Sequence, residues 1–164
     1  MSRRRVIDGG AAFFTEGAHT PSYRISLVRE GTQPFERPTL DSPEAAGRWL
    51  TSPAGSVDDS GREVFRIALL DVRRRLIGMV TVSVGTLTAS LVPPRDVFGP
   101  ALVANAAGVI LTHNHPSGVA EPSQADERIT KRLKSALELV DIRLLDHLVI
   151  GDGYATSMAS RGML

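Results

Sequence analysis

The sequence predicts an α/β (α+β) fold, in which one domain combines a sheet with helices. Four apolar, β-branched runs are typical of strands: 63–72, 75–87, 108–113 and 144–150. Three further segments carry helix caps or apolar residues at helical spacing: 41–50, 93–107 and 123–140. The chain of 164 residues, 42 % of them hydrophobic, is long enough to bury the core of one domain.

The chain divides into an arm and a domain. Residues 1–40 are predicted to form a flexible arm, because their first half is rich in glycine and lacks periodicity. Within the arm, YRISLV at 23–28 alternates as a strand does, and proline and glycine then interrupt it. The domain is predicted to span 41–164.

The domain opens with a helix and a hairpin. The helix is predicted at 41–50, with Asp41 or Ser42 as its N-cap. The strand-like runs 63–72 and 75–87 follow and are joined by an arginine-rich turn, which indicates a hairpin with long strands. The arginines of that turn are expected to be solvated charges rather than a nucleic-acid patch.

The second half is predicted to alternate between helices and strands. A helix at 93–107 opens near Pro94 or Asp96, and the short strand GVILTH follows it. The segment 123–140 is predicted to be a helix, and 144–157 a strand and a turn. One stripe of the helix 123–140 should be buried, because apolar residues recur there at helical spacing: Ile129, Leu133, Ala136, Leu137 and Val140.

Composition limits the functions that the chain can have. The net charge of +1 argues against strong nonspecific binding to nucleic acid, because that affinity needs many phosphate contacts. The absence of cysteine excludes disulfides and thiolate metal sites. The sequence shows neither a signal-peptide core nor an apolar run of membrane-spanning length, so we expect a soluble cytoplasmic protein without a membrane partner.

Two of the four histidines lie together in the stretch HNHP. Side chains two residues apart in an extended segment point to the same side. His113 and His115 can therefore bind one metal ion while Asn114 faces away. Pro116 should end the strand, because it has no backbone N–H donor.

A serine and an aspartate follow at the start of the predicted helix 123–140. The pattern S-x-x-D before an apolar run is a capping-box signature, so Ser123 can cap the helix. Asp126 falls on the buried stripe, where a carboxylate needs a cation. With His113 and His115 it would make three protein ligands and leave a fourth position for water, which is typical of catalytic zinc.

Attack of a metal-bound water on a carbonyl also needs a base. Glu63 is the candidate, because it opens the first long strand after a polar loop, although an exposed glutamate without a role fits the sequence equally well. His147 is expected to be a hydrogen-bonded structural or supporting residue, and His19 to have no role. Three further polar residues are candidates for lining the cleft: Thr86, Asn105 and Ser117.

The motif HNHPSG, with Ser123 eight residues after His115 and Asp126 three residues later, resembles the JAMM (MPN+) metalloprotease motif. The longer run from GTLTASLVPPRD to LLDHLVIGDG resembles the RadC-like bacterial branch of that family. This resemblance covers about residues 42–162. It implies a mixed sheet flanked by helices, related to the cytidine-deaminase-like fold.

The resemblance assigns a role to five residues. It makes His113, His115 and Asp126 the ligands of one Zn²⁺ ion per chain. It makes Glu63 the general acid/base and Ser123 the donor that stabilises the oxyanion. The implied activity is hydrolysis of peptide or isopeptide bonds, and the expected partner is a polypeptide substrate in the form of an extended tail or linker.

The chain also departs from the pattern of that family. Full-length RadC relatives usually carry an N-terminal helix-hairpin-helix region, which the first forty residues are too short and irregular to form. Pro93 stands where a histidine is expected. One alternative is a DNA-repair or recombination accessory protein with a non-catalytic metal site. Another is a non-haem iron oxygenase, since two histidines and one carboxylate also form its facial triad.

Overall fold

The computed structural model describes residues 4–6, 13–15, 36–55, 61–85 and 92–164. These ranges contain, in order, β1 (Arg4–Val6), β2 (Phe13–Thr15), α1 (Pro43–Leu50), β3 (Val64–Leu70), β4 (Leu76–Val84), α2 (Pro94–Val103), β5 (Gly108–Asn114), α3 (Gln124–Glu138), β6 (Arg143–Ile150) and β7 (Ala155–Ser157). The strand predicted at 23–28 lies outside the described residues. Two short strands of the arm that were not predicted, β1 and β2, pair antiparallel.

Five strands form one mixed sheet in the order β4-β3-β5-β6-β7, which confirms the predicted fold class. β3 and β4 form the predicted hairpin, and β3 also pairs antiparallel with β5. β5 and β6 are parallel, so the chain must cross over between them, and α3 makes that crossover. β5 is therefore the central strand, with β3 on one side and β6 on the other.

The three helices begin close to their predicted positions. Ser42 Oγ accepts a hydrogen bond from Ala45 N at the start of α1, as expected of an N-cap. α2 begins at Pro94 even though Pro100 lies inside it. Ser123 caps α3. Within the described ranges, no helix is long and apolar enough to cross a membrane.

Helices cover both faces of the sheet. Successive side chains of a strand point to opposite faces, so Phe65 of β3 lies on the face covered by α2 and α3, called the α3 face. Ala68, three residues further along β3, lies on the face covered by α1, called the α1 face. Three positions of the predicted α3 stripe are buried, and the other two are half-buried: Ile129, Leu133 and Leu137, then Ala136 and Val140.

The arginine-rich turn between β3 and β4 is organised by one carboxylate. Asp71 accepts hydrogen bonds from the backbone N–H groups of Arg73 and Arg75 and from the Arg75 guanidinium. Arg37 Nη2 also lies 3.2 Å from this carboxylate. Arg73 itself is exposed, as predicted for a turn. The turn lies at the end of the hairpin opposite to the histidine pair, because His113 pairs with the start of β3.

Candidate metal centre

The predicted site residues meet where β3 begins and β5 ends. Phe65 of β3 pairs with His113 of β5, so Glu63, two residues before Phe65, lies beside the end of β5. His115 follows β5 directly, and its backbone N–H donates to the carbonyl of the last residue of β6. The first turn of α3 packs over the same end of the sheet and brings Asp126 to the two imidazoles.

The ligand atoms of this cluster are close enough to share one metal ion. Those of Glu63, His113 and His115 all lie within 4.8 Å of one another. Asp126 Oδ1 is 3.2 Å from His113 Nε2, and Asp126 Oδ2 is 3.6 Å from His115 Nε2. The two Nε2 atoms are 3.0 Å apart. The structure thus brings the three predicted ligands together with Glu63, and by distance Glu63 is itself close enough to bind the same ion.

A chain of hydrogen bonds sets the protonation of His147. Burial lowers the pKa of His147 well below its ordinary value, so this ring is neutral and has one donor and one acceptor nitrogen. Thr130 Oγ1 donates to the carbonyl of Asp126 at 2.5 Å. The hydroxyl has only one hydrogen, and that hydrogen is used in this bond. Thr130 Oγ1 must therefore accept a hydrogen bond from His147 Nδ1, which lies 2.6 Å away.

The same chain sets the protonation of His113. His147 Nε2 is left as an acceptor, and His113 Nδ1 lies 2.9 Å from it and donates to it. The Nε2 atom of a neutral His113 therefore carries a lone pair that faces the cluster. The prediction that His147 is a hydrogen-bonded supporting residue is confirmed, since its ring is fully buried and bonded at both nitrogens.

The loop after β5 fixes which nitrogen of His115 donates a hydrogen bond, as His147 does for His113. His115 Nδ1 lies 2.7 Å from the carbonyl of Val119 and donates to it, so the Nε2 atom of a neutral His115 also carries a lone pair. Two such lone pairs at 3.0 Å, beside the Asp126 carboxylate, repel one another unless a cation lies between them. The donor set fits a divalent metal ion, because histidines that bind metal present one nitrogen and donate the other N–H to a protein acceptor.

Asp126 is buried, 3 % exposed, as its place on the apolar stripe predicts. Its Oδ2 accepts the N–H of Ser123 at 2.6 Å and the Ser123 hydroxyl at 2.7 Å. Burial raises the pKa of this carboxyl, but a hydrogen bond from His113, the positive charge of that ring when protonated and the two bonds from Ser123 outweigh it and hold the pKa well below its ordinary value. With His113 neutral, a metal cation between the two side chains would supply that positive charge instead. Ser123 Oγ in turn accepts from Asp126 N, so the predicted capping box is confirmed.

Asn114, between the two histidines, is a supporting residue that the sequence did not identify. Its side-chain Oδ1 accepts from Val64 N at 2.7 Å, and its Nδ2 donates to Arg62 O at 2.9 Å. These two backbone groups flank Glu63 in the chain. The Asn114 side chain therefore continues the hydrogen bonding between β3 and β5 beyond their last backbone pair. It fixes the backbone on both sides of Glu63.

The remaining predicted residues lie elsewhere. Asn105 was expected to line the cleft, but it lies between α2 and β5, at the opposite end of β5 from His113, so this prediction is wrong. Its φ of 52° is in the left-handed region, which asparagine tolerates better than most residues, so a turn explains it. Ser117 is exposed in the loop after His115. His19 and Thr86 lie outside the described residues.

The fold and the cluster together define a class of protein. It is an α/β domain that presents two imidazoles and carboxylates at the ends of neighbouring strands, under the first turn of a helix. These side chains form a group that could hold one metal ion.

Comparison with known proteins identifies the family. A family model described as the RadC-like JAB domain matches residues 40–163, so this chain belongs to that family, as the motif predicts. The chain is 49 % identical over 142 residues to a UPF0758 protein of Leptothrix cholodnii, covering 85 % of this chain and 63 % of that relative. It is 52 % identical over 125 residues to a UPF0758 protein of Aeromonas hydrophila, covering 76 % and 54 %. The chain thus spans between about half and two thirds of the length of these curated relatives.

Proposed function

We propose that this chain is a zinc-dependent hydrolase that cleaves peptide or isopeptide bonds. The observation that carries the proposal is the meeting of His113 Nε2 and His115 Nε2, 3.0 Å apart, beside the carboxylate of Asp126. The other nitrogen of each ring is engaged by a hydrogen bond, so the donors are oriented before any metal binds. Membership of the RadC-like JAB domain family agrees with this chemistry.

His113, His115 and Asp126 would hold the zinc ion, one per chain. Zinc bound there would lower the pKa of a bound water to about 7 and polarise the carbonyl to be attacked. Asp126 suits this place because its low pKa keeps it anionic at neutral pH. Its second oxygen is already satisfied by Ser123, so the carboxylate can bind a metal through the first without losing a hydrogen bond.

Glu63 would carry the proton of the reaction. Its carboxylate lies within 4.8 Å of the ligand nitrogens of both histidines, and the residue is half-buried at the start of β3. It would take one proton from the attacking water as the water oxygen bonds to the carbonyl carbon. It would then give that proton to the amide nitrogen as the C–N bond breaks, which leaves a carboxylic acid and an amine.

Ser123 would stabilise the oxyanion that develops on the attacked carbonyl. Its hydroxyl donates to Asp126 Oδ2, but the Ser123 backbone N–H donates to the same oxygen at 2.6 Å. The hydroxyl can therefore turn to a substrate oxygen while Asp126 keeps one hydrogen bond. Loss of one such donor lowers kcat by roughly 100-fold in hydrolases of this kind of chemistry.

The substrate would be an extended polypeptide tail or linker, laid along a strand edge near the loop 116–122. That loop packs on the turn between β6 and β7, where Asp152 N donates to Gly118 O and the Tyr154 hydroxyl accepts from Ala120 N. β7 is an edge of the sheet. A peptide that pairs with a strand edge is bound through backbone hydrogen bonds, and neighbouring pockets select its side chains.

Metal analysis combined with cleavage of a peptide library tests the proposal. We expect about one zinc per chain, and we expect His113→Ala and His115→Ala to lose it. Ser123→Ala should keep zinc and lower kcat by roughly 100-fold with little change in KM. Iron in place of zinc, or Ser123→Ala that loses only thermal stability, would contradict the proposed metal or the proposed role of the serine.

A further inference from the structure

A cavity of about 230 Å³ adjoins the histidine pair on the α1 face of the sheet. Its wall is made by the end of α1, by β3 and β5, and by the turn after β6, and both His113 and His115 contribute to it. Apolar side chains form part of the lining: Leu50, Val64 and Ile150. The cavity is thus continuous with the candidate metal centre, but most of its lining comes from the opposite face of the sheet.

The described lining of this cavity includes one arginine. Arg66 of β3 is half-buried, and one of its N–H groups, on Nη1, donates to the carbonyl of Gly55 at 2.9 Å. Among the described residues, no carboxylate lies within ion-pairing distance of it. Arg37 and Arg75, by comparison, both pair with Asp71, and Arg161 pairs with Glu121.

Two buried polar atoms next to the cavity also lack a hydrogen bond. Arg66 Nε and Thr112 Oγ1 have no partner within the part of the chain that the structure describes. The two residues pair across β3 and β5, so the atoms belong to one place in the sheet. Buried polar groups in native proteins are nearly always bonded, and exceptions mark strain, a bound group or a functional role.

A half-buried guanidinium that no described carboxylate neutralises is costly to the fold. Burial lowers the pKa of Arg66, which shows that its charged form is poorly solvated there. A charge removed from water is stabilised by an opposite charge with good hydrogen-bonding geometry. The cavity beside Arg66 has the room for such a group.

We propose that this cavity binds a carboxylate of the substrate, through Arg66, next to the bond that is cut. The inference rests on the proposed hydrolase function for the identity of the occupant as a substrate chain. A single negative charge fits better than a phosphate, because the exposed Asp152 also lines the cavity and would repel a dianion. The apolar part of the wall suits the methylene groups of a glutamate side chain.

A matched pair of small probes tests the inference without any hydrolysis. N-acetylglutamate α-amide and N-acetylglutamine α-amide have nearly the same size and differ in the charge of the side chain. Binding is followed by NMR shifts of backbone amides in zinc-free protein. We expect the glutamate probe to shift the amides of Thr112 and Gly151 and to bind at least about 10-fold more tightly than the glutamine probe, since hydrogen bonds to charged groups are the strong ones.

A third probe and three variants assign the charge. N-acetylglycine carries only a terminal carboxylate, and binding of this probe in place of the glutamate one would identify a chain terminus as the occupant. Arg66→Gln should abolish the preference for the charged probes, and Arg66→Lys should keep part of it if the glutamine variant does not fold. Arg73→Gln, which removes the same charge from the far end of the hairpin, should leave it unchanged.

The outcomes separate this inference from the proposed function. Equal binding of the glutamate and glutamine probes to the unaltered protein, together with no binding of N-acetylglycine, would overturn the carboxylate pocket even if zinc-dependent cleavage is found. The carboxylate pocket would also be overturned if Arg66→Gln kept the full preference for the glutamate probe over the glutamine probe. If the preference is present but no zinc-dependent cleavage occurs, the pocket stands and the hydrolase function fails.

Discussion

Replacing Thr130 with valine tests whether the fold fixes the protonation of His113. Valine keeps the shape of threonine but lacks the hydroxyl, and the site is fully buried, so no solvent takes its place. His147 Nδ1–H then loses its acceptor. The ring either keeps an unsatisfied buried N–H or moves its proton to Nε2, which faces His113 Nδ1. In the second case His113 would carry its proton on Nε2, where the metal should bind.

Both outcomes weaken zinc binding by a calculable amount. Loss of an outer hydrogen-bond partner of a metal-binding histidine lowers metal affinity by roughly 10- to 100-fold. That factor corresponds to about 1.4–2.7 kcal/mol of binding free energy. An unsatisfied buried donor would also lower the free energy of unfolding of the zinc-free protein by about 1–3 kcal/mol. For a chain of this size each kcal/mol corresponds to about 2–4 °C in Tm.

Competition with a metal chelator measures the zinc affinity, and thermal unfolding without zinc measures the second effect. Thr130→Ser is the matched control, because serine keeps the hydroxyl and should bind zinc within about threefold of the unaltered protein. If Thr130→Val bound zinc as tightly as Thr130→Ser, the hydrogen-bond chain from Asp126 to His113 would not control the metal site, and the argument for oriented lone pairs would fail.

Three further predictions address neighbouring residues. Metal analysis should find that Asp126→Asn loses zinc. Glu63→Gln should keep zinc but lose catalytic turnover, and loss of zinc in this variant would show that Glu63 is a metal ligand. Asn114→Ala should keep zinc but lower kcat by roughly 100-fold, because a misplaced Glu63 transfers protons poorly, and a normal kcat would remove its positioning role. Burial raises the pKa of Asp146, so the folded state holds this proton more tightly than the unfolded state, and the contribution of the group to stability grows as pH falls through the raised pKa. Asp146→Asn should therefore not lower Tm at pH 7, and any gain in Tm should shrink on acidification; a large loss of Tm at pH 7 would contradict this.

Local patterns were sufficient to predict most elements of the domain. The N-cap at Ser42 and the capping box at Ser123 both form, because they depend on residues within one helical turn. The burial of Asp126 also followed from spacing, since it shares a helix face with Ile129 and Leu133. The predicted position of Asn105 is wrong, because the polarity of a residue does not indicate at which end of a strand it lies.

The supporting residues of the site could not be predicted in the same way. His147 lies 34 residues from His113 in the chain, and their contact depends on the parallel register of β5 and β6. The spacing correctly placed Asn114 away from the histidine side, but only the antiparallel register of β3 and β5 shows that it reaches the backbone around Glu63. Such contacts depend on the pairing of strands that are far apart in the chain.

The central position of β5 links the metal site to the stability of the domain. β5 pairs with β3, which brings Glu63, and with β6, which brings His147. α3 closes the site from above, because the hydroxyl of Thr130 bonds both His147 and the first turn of its own helix. An ion held by His113 and Asp126 would therefore join the sheet to that helix. Because a ligand that binds only the folded state stabilises it, metal binding here should stabilise the docking of α3 as well as enable chemistry.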